Sequence, residues 1–236
     1  MLSKTSRVAT AFALAVLAAS CARFTPWRNE QPNEEVNLAF TLQRNLVELG
    51  PTVRIDDHPG RFILGSAAKQ TVLDPAFAAP GRRLQIQEKE SLAISPVRVE
   101  LQGVADGIIG ADAWRNQSIS IDYRLGLVTF QKTGIERSQM QTFRYRDEPS
   151  IWVHVNGQRL AAVVDTSSPD TLVIPGDHRR ATVSVVVAGT DFGATDVQFA
   201  NVARARIGNR LLSRFLVSID YGRRVVGLWR DPRIPL

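Results

Sequence analysis

Apolar residues alternate with polar ones at Val36, Leu38, Phe40 and Leu42, the period-two pattern of a strand with one buried face. A helix, with Val36, Phe40 and Leu46 on roughly one side, is the competing reading of the same stretch. From residue 51 onwards the pattern is short Val/Ile/Leu runs cut by glycine and proline, which predicts a β-rich fold. Two strands joined by a turn at "DDHPG", and again at "NGQ", lead each time into an apolar strand and a loop of small residues. Asn156-Gly157 is a strong hairpin signal in its own right. Further strands follow, then a short helix after an "IG" turn and a closing hairpin at "SIDY".

These elements occur twice. Shifted by 100 residues, "VRIDDHPGRFILGSAAKQTVL" (53–73) falls without a gap on "VHVNGQRLAAVVDTSSPDTLV" (153–173), apolar on apolar almost throughout. Shifted by 98, "GIIGADAWRNQSISIDYRLGLVTF" (107–130) falls on "ARIGNRLLSRFLVSIDYGRRVVGL" (205–228), with seven identities that include the whole "SIDY" tetrapeptide. Two ungapped matches, in the same order and at nearly the same offset, predict a tandem repeat. The expected organisation is a leader over 1–20, a tether and first strand over 21–50, lobe one over 51–131, a polar linker over 132–148 and lobe two over 149–236.

Composition narrows the function classes. The chain has 236 residues, 44% hydrophobic and 22% charged, an ordinary globular balance. The net charge of +6 falls by two if Lys4 and Arg7 leave with the leader, and the remaining arginines are dispersed. No basic stripe forms, so nucleic acid is not an expected partner. The leader itself is a short basic stretch, "MLSKTSR", followed by the apolar run "VATAFALAVLAA", too short to span a bilayer and of the length of a signal-peptide core. It ends at "AASC". Small residues before a cysteine resemble the lipobox of bacterial lipoproteins, although Ala18 stands where leucine is commoner. The resemblance implies lipidation of Cys21 and a lipid-anchored, periplasm-facing protein of the cell envelope; plain secretion is the alternative. Cys21 is the only cysteine, so no internal disulfide is available.

An apolar strand ending in Asp-Thr-x, followed later by an apolar-apolar-Gly segment, resembles the retropepsin-like and pepsin-like aspartic peptidases. Lobe two carries the first element in "VVDTSS" (163–168), and lobe one carries the second in "DGIIGADAW" (106–114). The nearest likeness is to bacterial two-lobed, single-chain forms. It implies an all-β, acid-protease barrel fold in which one aspartate per lobe meets its partner across an approximate twofold axis. Two carboxylates so close share one proton, and the pair titrates as a unit. Carried over by position, lobe two supplies Asp165, Thr166 and Ser167, and lobe one supplies Gly65, Ser66 and Ala67. The hydroxyls of Ser66 and Thr166 are expected to bond across the axis. The acid survives in Asp165 and is missing at Gly65. Glycine, usual at the third position, is replaced by Ala67 and Ser167, whose Cβ atoms are expected to crowd the loops and to limit any gain from Gly65→Asp.

The resemblance therefore implies an impaired peptidase acting as a module that binds an extended peptide or an envelope protein by strand addition. The alternatives are an active endopeptidase, using Asp165 through lobe exchange or another proton donor, and a structural envelope lipoprotein. A purely structural Asp165, capping its own turn, is the plainer reading of that residue. Asp57, Asp74 and Asp170 read as turn or surface residues, and Asp122 and Asp220 as turn formers before the hairpin tyrosines. His58, His154 and His178 are isolated, with no ligand spacing, so neither a metal nor a cofactor is expected. Trp114 and Phe215 read as core.

Overall fold

The structure, a computed structural model, describes residues 36–86, 90–114, 117–131 and 138–234. The leader, Cys21 and the tether up to residue 35 lie outside the described residues, and with them the expectations of export and lipidation.

The fold is all-β. In chain order the first half contributes β1 (Val36–Gln43), β2 (Leu46–Leu49), β3 (Val53–Ile55), β4 (His58–Pro59), β5 (Phe62–Leu64), β6 (Val72–Leu73), β7 (Arg83–Ile86), β8 (Glu90–Ala93), β9 (Val97–Arg98), β10 (Gly107–Ile109), β11 (Ser118–Asp122) and β12 (Leu127–Gln131). The second half contributes β13 (Gln141–Arg144), β14 (Ser150–Val155), β15 (Gln158–Val164), β16 (Leu172–Pro175), β17 (Arg179–Val187), β18 (Thr190–Ala200), β19 (Ala205–Ile207), β20 (Leu216–Asp220) and β21 (Val225–Trp229). A 3-10 turn at Ala111–Ala113 and the single-turn helix α1 (Asn209–Leu212) follow the two "IG" segments.

The tight turns take the left-handed conformation at both central residues, the geometry that matches strand twist in two-residue hairpins. Asp56 and Asp57 (φ 48° and 65°) and Asn156 and Gly157 (φ 48° and 77°) do so at the two turns the sequence marked. Arg44 and Asn45 (φ 50° and 62°) make a third, which folds β2 back on β1. Neither residue is a glycine, and β2 escaped the sequence pattern for that reason.

One pairing plan occurs in both halves. In the first, β10 runs parallel to β5 and antiparallel to β6, and β6 runs parallel to β9. In the second, β19 runs parallel to β15 and antiparallel to β16, and β16 runs parallel to β18. Strands bonded on both sides and buried on both faces are apolar at every position, and Phe62, Ile63 and Leu64 of β5 are all buried.

The halves differ at one side. In the second, the nine-residue β17 pairs with β18 as far as Arg179↔Phe199 and closes a six-stranded barrel. In the first, β7 has four residues and its sheet stays separate, so β9 is an edge. The intervening "DPAFAAPGR" carries two prolines and a glycine, which a ladder does not accept. Arg98 fastens this loop instead, donating to the carbonyls of Asp74, Phe77 and Ala79.

A sheet in the order β13-β21-β20-β11-β12-β1 joins the halves. At its centre β11 and β20 are antiparallel, with Ser120 opposite Ser218 and their hydroxyls 2.7 Å apart. Ile119, Ile121, Val217 and Ile219 alternate with the polar positions and enter the core. Trp114 packs on Phe130 with ring centroids 4.8 Å apart, and Phe215 is buried. The polar linker expected over 132–148 is not wholly a linker: Gln141–Arg144 is the outer strand of this sheet. Its single inward side chain, Phe143, is too little alternation to read from sequence.

Asp74 illustrates a turn acid at work. Its carboxylate accepts from the amides of Leu101 (2.7 Å) and Ala76 (2.9 Å), which, with the Arg98 charge, hold it below its ordinary pKa of 3.8 against a smaller desolvation effect. A lowered folded-state pKa stabilises above the unfolded value and is lost as pH falls through the folded one. Hydrogen exchange at the Leu101 amide will therefore speed up below about pH 4 in the parent relative to intrinsic exchange. In Asp74→Asn the corresponding protection will be lower and flat with pH over that range.

Candidate functional site

The loops after β5 and β15 are wired alike. The amide of Gly65 bonds to the carbonyl of Ile109 and that of Asp165 to the carbonyl of Ile207. Each loop then turns tightly, Ala68 N–H to Gly65 O and Ser168 N–H to Asp165 O. Gly110 and Gly208 let the backbone come this close. A Cβ on Gly110 would lie 2.5 Å from Gln70 carbonyl atoms, and one on Gly208 would lie 2.5 Å from Asp170 O. Their φ values near −100° are open to any residue, so space and not conformation demands glycine here.

The two loops hold each other. Ser66 Oγ donates to Val164 O (2.6 Å), and Thr166 Oγ1 donates to Leu64 O (2.6 Å). In return Thr166 N–H donates to Ser66 Oγ (3.0 Å), and Ser66 N–H donates to Thr166 Oγ1 (2.9 Å). Four bonds thus exchange under one rule, with both side chains at most 1% exposed. Behind the loops, Tyr221 Oη donates to Ser66 O (3.1 Å). Asn209 Nδ2 donates to Thr166 O (2.7 Å) and Asn45 O (2.6 Å), and its Oδ1 accepts from Tyr123 Oη (2.8 Å). Burial pushes both tyrosine hydroxyls to high pKa, so they stay donors. Where the second half has Asn209 the first has Ala111, which borders a cavity of about 310 Å³ reaching Ala67, Lys69 and Tyr145.

Asp165 and Gly65 stand at matching places with unlike surroundings. Asp165 is buried, and its Oδ1 accepts from the amide (3.0 Å) and hydroxyl (2.6 Å) of Ser167. Its Oδ2 meets Nη1 of Arg206 at 3.3 Å. A Cβ on Gly65 would lie 2.4 Å from Cγ2 of Ile108 and 3.2 Å from Cβ of Ala68. Ile108 and Arg206 flank the loops from matching strands, β10 and β19. An acid with a cation on one side is therefore matched by a glycine with an apolar branch on the other.

Two expectations change. Ser167 has a role the sequence reading did not give it, since its hydroxyl is a ligand of the carboxylate. The obstacle to an acid at 65 is Ile108, not Ala67 or Ser167. Arg206 was missed altogether, although the shift of 98 residues sets it directly on Ile108, a charge on an apolar residue within the "IG" segment.

The other acids that the sequence singled out have partners of their own. Asp57 accepts from Gln85 Nε2, Asp122 from the amides of Arg124 and Leu125, and Asp220 from the amide of Arg223. Asp170 bonds through its carbonyl to the Arg210 amide. Asp112, buried and unremarked in the sequence, secures Thr71 through both its amide and hydroxyl (2.8 Å each). His58 bonds the Asp56 carbonyl in its own turn, and His154 and His178 are exposed. Among the described residues no three His, Cys, Asp or Glu side chains gather as a metal site. Compared with family models and with curated proteins, the chain matches none of either.

Proposed function

We propose that the chain is a non-catalytic member of the two-lobed aspartic-peptidase fold, built from a tandem repeat, which holds an extended peptide or envelope protein at the joined loops without cutting it. The observation that carries this reading is the pairing of Asp165 with Arg206 opposite a Gly65 walled by Ile108. Peptide hydrolysis of this type needs one ionised and one protonated carboxyl group at the same water. Here a single carboxylate has a cation on one oxygen and Ser167 on the other, and the matching position in the first loop is Gly65. Losing one member of a catalytic unit removes most of the rate, on the order of 10⁴-fold or more. The shared pairing plan and the four exchanged bonds between Ser66 and Thr166 support the fold assignment. On the same reading the protein is exported, lipidated at Cys21 and periplasm-facing.

The test is proteolysis of an unfolded protein substrate between pH 3 and 7 by the purified chain and by Asp165→Asn. Neither is expected to release fragments, while unlabelled peptides compete saturably for a labelled extended peptide. Fragment release by the parent that Asp165→Asn abolishes would overturn the proposal.

A further inference from the structure

We infer that Arg206 selects the ligand at this site by binding a carboxylate, from an acidic side chain or a peptide C-terminus; the inference rests on the peptide-binding reading above. Arg206 lies on β19 between the buried Ala205 and Ile207, so its side chain points away from the barrel core. Although ion-paired, that side chain is 52% exposed. Its one polar contact among the described residues is Nη1 to Asp165 Oδ2 at 3.3 Å, longer than the roughly 2.8 Å of a close charge-assisted bond. The guanidinium has five N–H donors in a planar fork suited to carboxylates, and Nε and Nη2 have no protein acceptor among the described residues.

The surroundings argue for a binding group and against a simple structural pair. Asp165 is buried and has Ser167 on its other oxygen, so it can hold one arm of the fork while the rest faces solvent. At the matching positions of the first half stand Gly65 and Ile108, packed with Ala68, none of which carries a polar side chain. Arg204, two residues earlier, is different: Asp147 and Glu148 both pair with it, and Glu148 also pairs with Lys69. Among the described residues Arg206 has no such second acid. An extended ligand with a carboxylate beside small apolar residues complements this arrangement. The Asp165 charge lies close enough to oppose that carboxylate, so it tempers the affinity that Arg206 provides.

The full chain is titrated, by fluorescence anisotropy, with labelled ten-residue Ala/Val peptides that differ only in a central Glu or Gln, or in a free or amidated C-terminus. At least one carboxylate peptide is expected to bind about tenfold more tightly than its amide counterpart, with the difference shrinking at high salt. Arg206→Gln removes the preference. Asp165→Asn, by deleting the competing charge, strengthens binding of the carboxylate peptide more than that of the amide peptide. The double variant Asp165→Asn/Arg206→Gln buries no unpaired charge and serves if the single Arg206 variant does not fold. Equal binding of acid and amide, a preference that survives loss of Arg206, or no gain in Asp165→Asn would each overturn the assignment while leaving peptide binding intact. Failure of every peptide to bind would overturn the peptide-binding reading and this inference with it.

Discussion

Gly65→Asp, the substitution that writes the missing acid into the first loop, will destabilise the protein by about 3 kcal/mol and produce no peptidase activity. The new Cβ would sit 2.4 Å from Ile108 Cγ2, a separation that side-chain atoms do not tolerate. Cγ2 is bonded to the Ile108 Cβ and is not the end of a flexible chain. The Ile108 backbone is pinned between Ile63 on one side and Val72 on the other, so relief requires moving strand β10. A second contact, 3.2 Å to Ala68 Cβ, tightens the same space. Ile108→Ala in the same chain removes Cγ2 and will recover a large part of the loss, a non-additivity that a double-mutant cycle reads directly. Urea unfolding monitored by tryptophan fluorescence supplies the stabilities. A Gly65→Asp protein as stable as its parent would show that the loop shifts freely, and the pairing of Gly65 with Ile108 would then lose its meaning. The absence of activity has a separate cause, since Asp165 in this variant still faces Arg206.

Thr166→Val will cost about 3 kcal/mol, although it exchanges groups of nearly equal size. Its hydroxyl both donates to Leu64 O and accepts from the Ser66 amide. Valine leaves those two backbone groups without that partner in a region where Thr166 is 0% and Ser66 1% exposed. Each buried polar group so orphaned costs about 1–3 kcal/mol. Thr166→Ser retains the hydroxyl and will lose far less. Because Ser66 and Thr166 serve each other, Ser66→Ala and Thr166→Val will be non-additive, with a coupling of about 1–2 kcal/mol. A Thr166→Val protein within about 0.5 kcal/mol of the parent would mean that the four exchanged bonds do not hold the loops together.

Much of this site was legible in the chain because the two matching segments expose it. The separations read from sequence, 100 and 98 residues, are the separations of residues that face each other in space. Ser66 meets Thr166, and Ser120 meets Ser218. Turns at Asp56-Asp57 and Asn156-Gly157 were marked by residues that accept positive φ, and the first strand by its alternation. Asn209 was not legible. Its role needs Tyr123, Thr166 and Asn45 gathered from three distant segments, and nothing local in "GNRLL" announces that. Strand β13 was hidden for a related reason, since a strand with one buried side chain depends on its neighbour β21 for definition.

The sequence by itself determined an all-β chain, the two matching segments and the asymmetry of one acid against one glycine, because strand alternation, turn chemistry and repeats are local or periodic properties. Tertiary structure alone decided the surroundings of that acid. Arg206 is 41 residues from Asp165, and Ile108 is a similar distance from Gly65; only the parallel pairing of β19 with β15, and of β10 with β5, brings each to its loop. Charge neutralisation and steric exclusion act over a few ångströms, and chain separation carries no information about which residues will come that close.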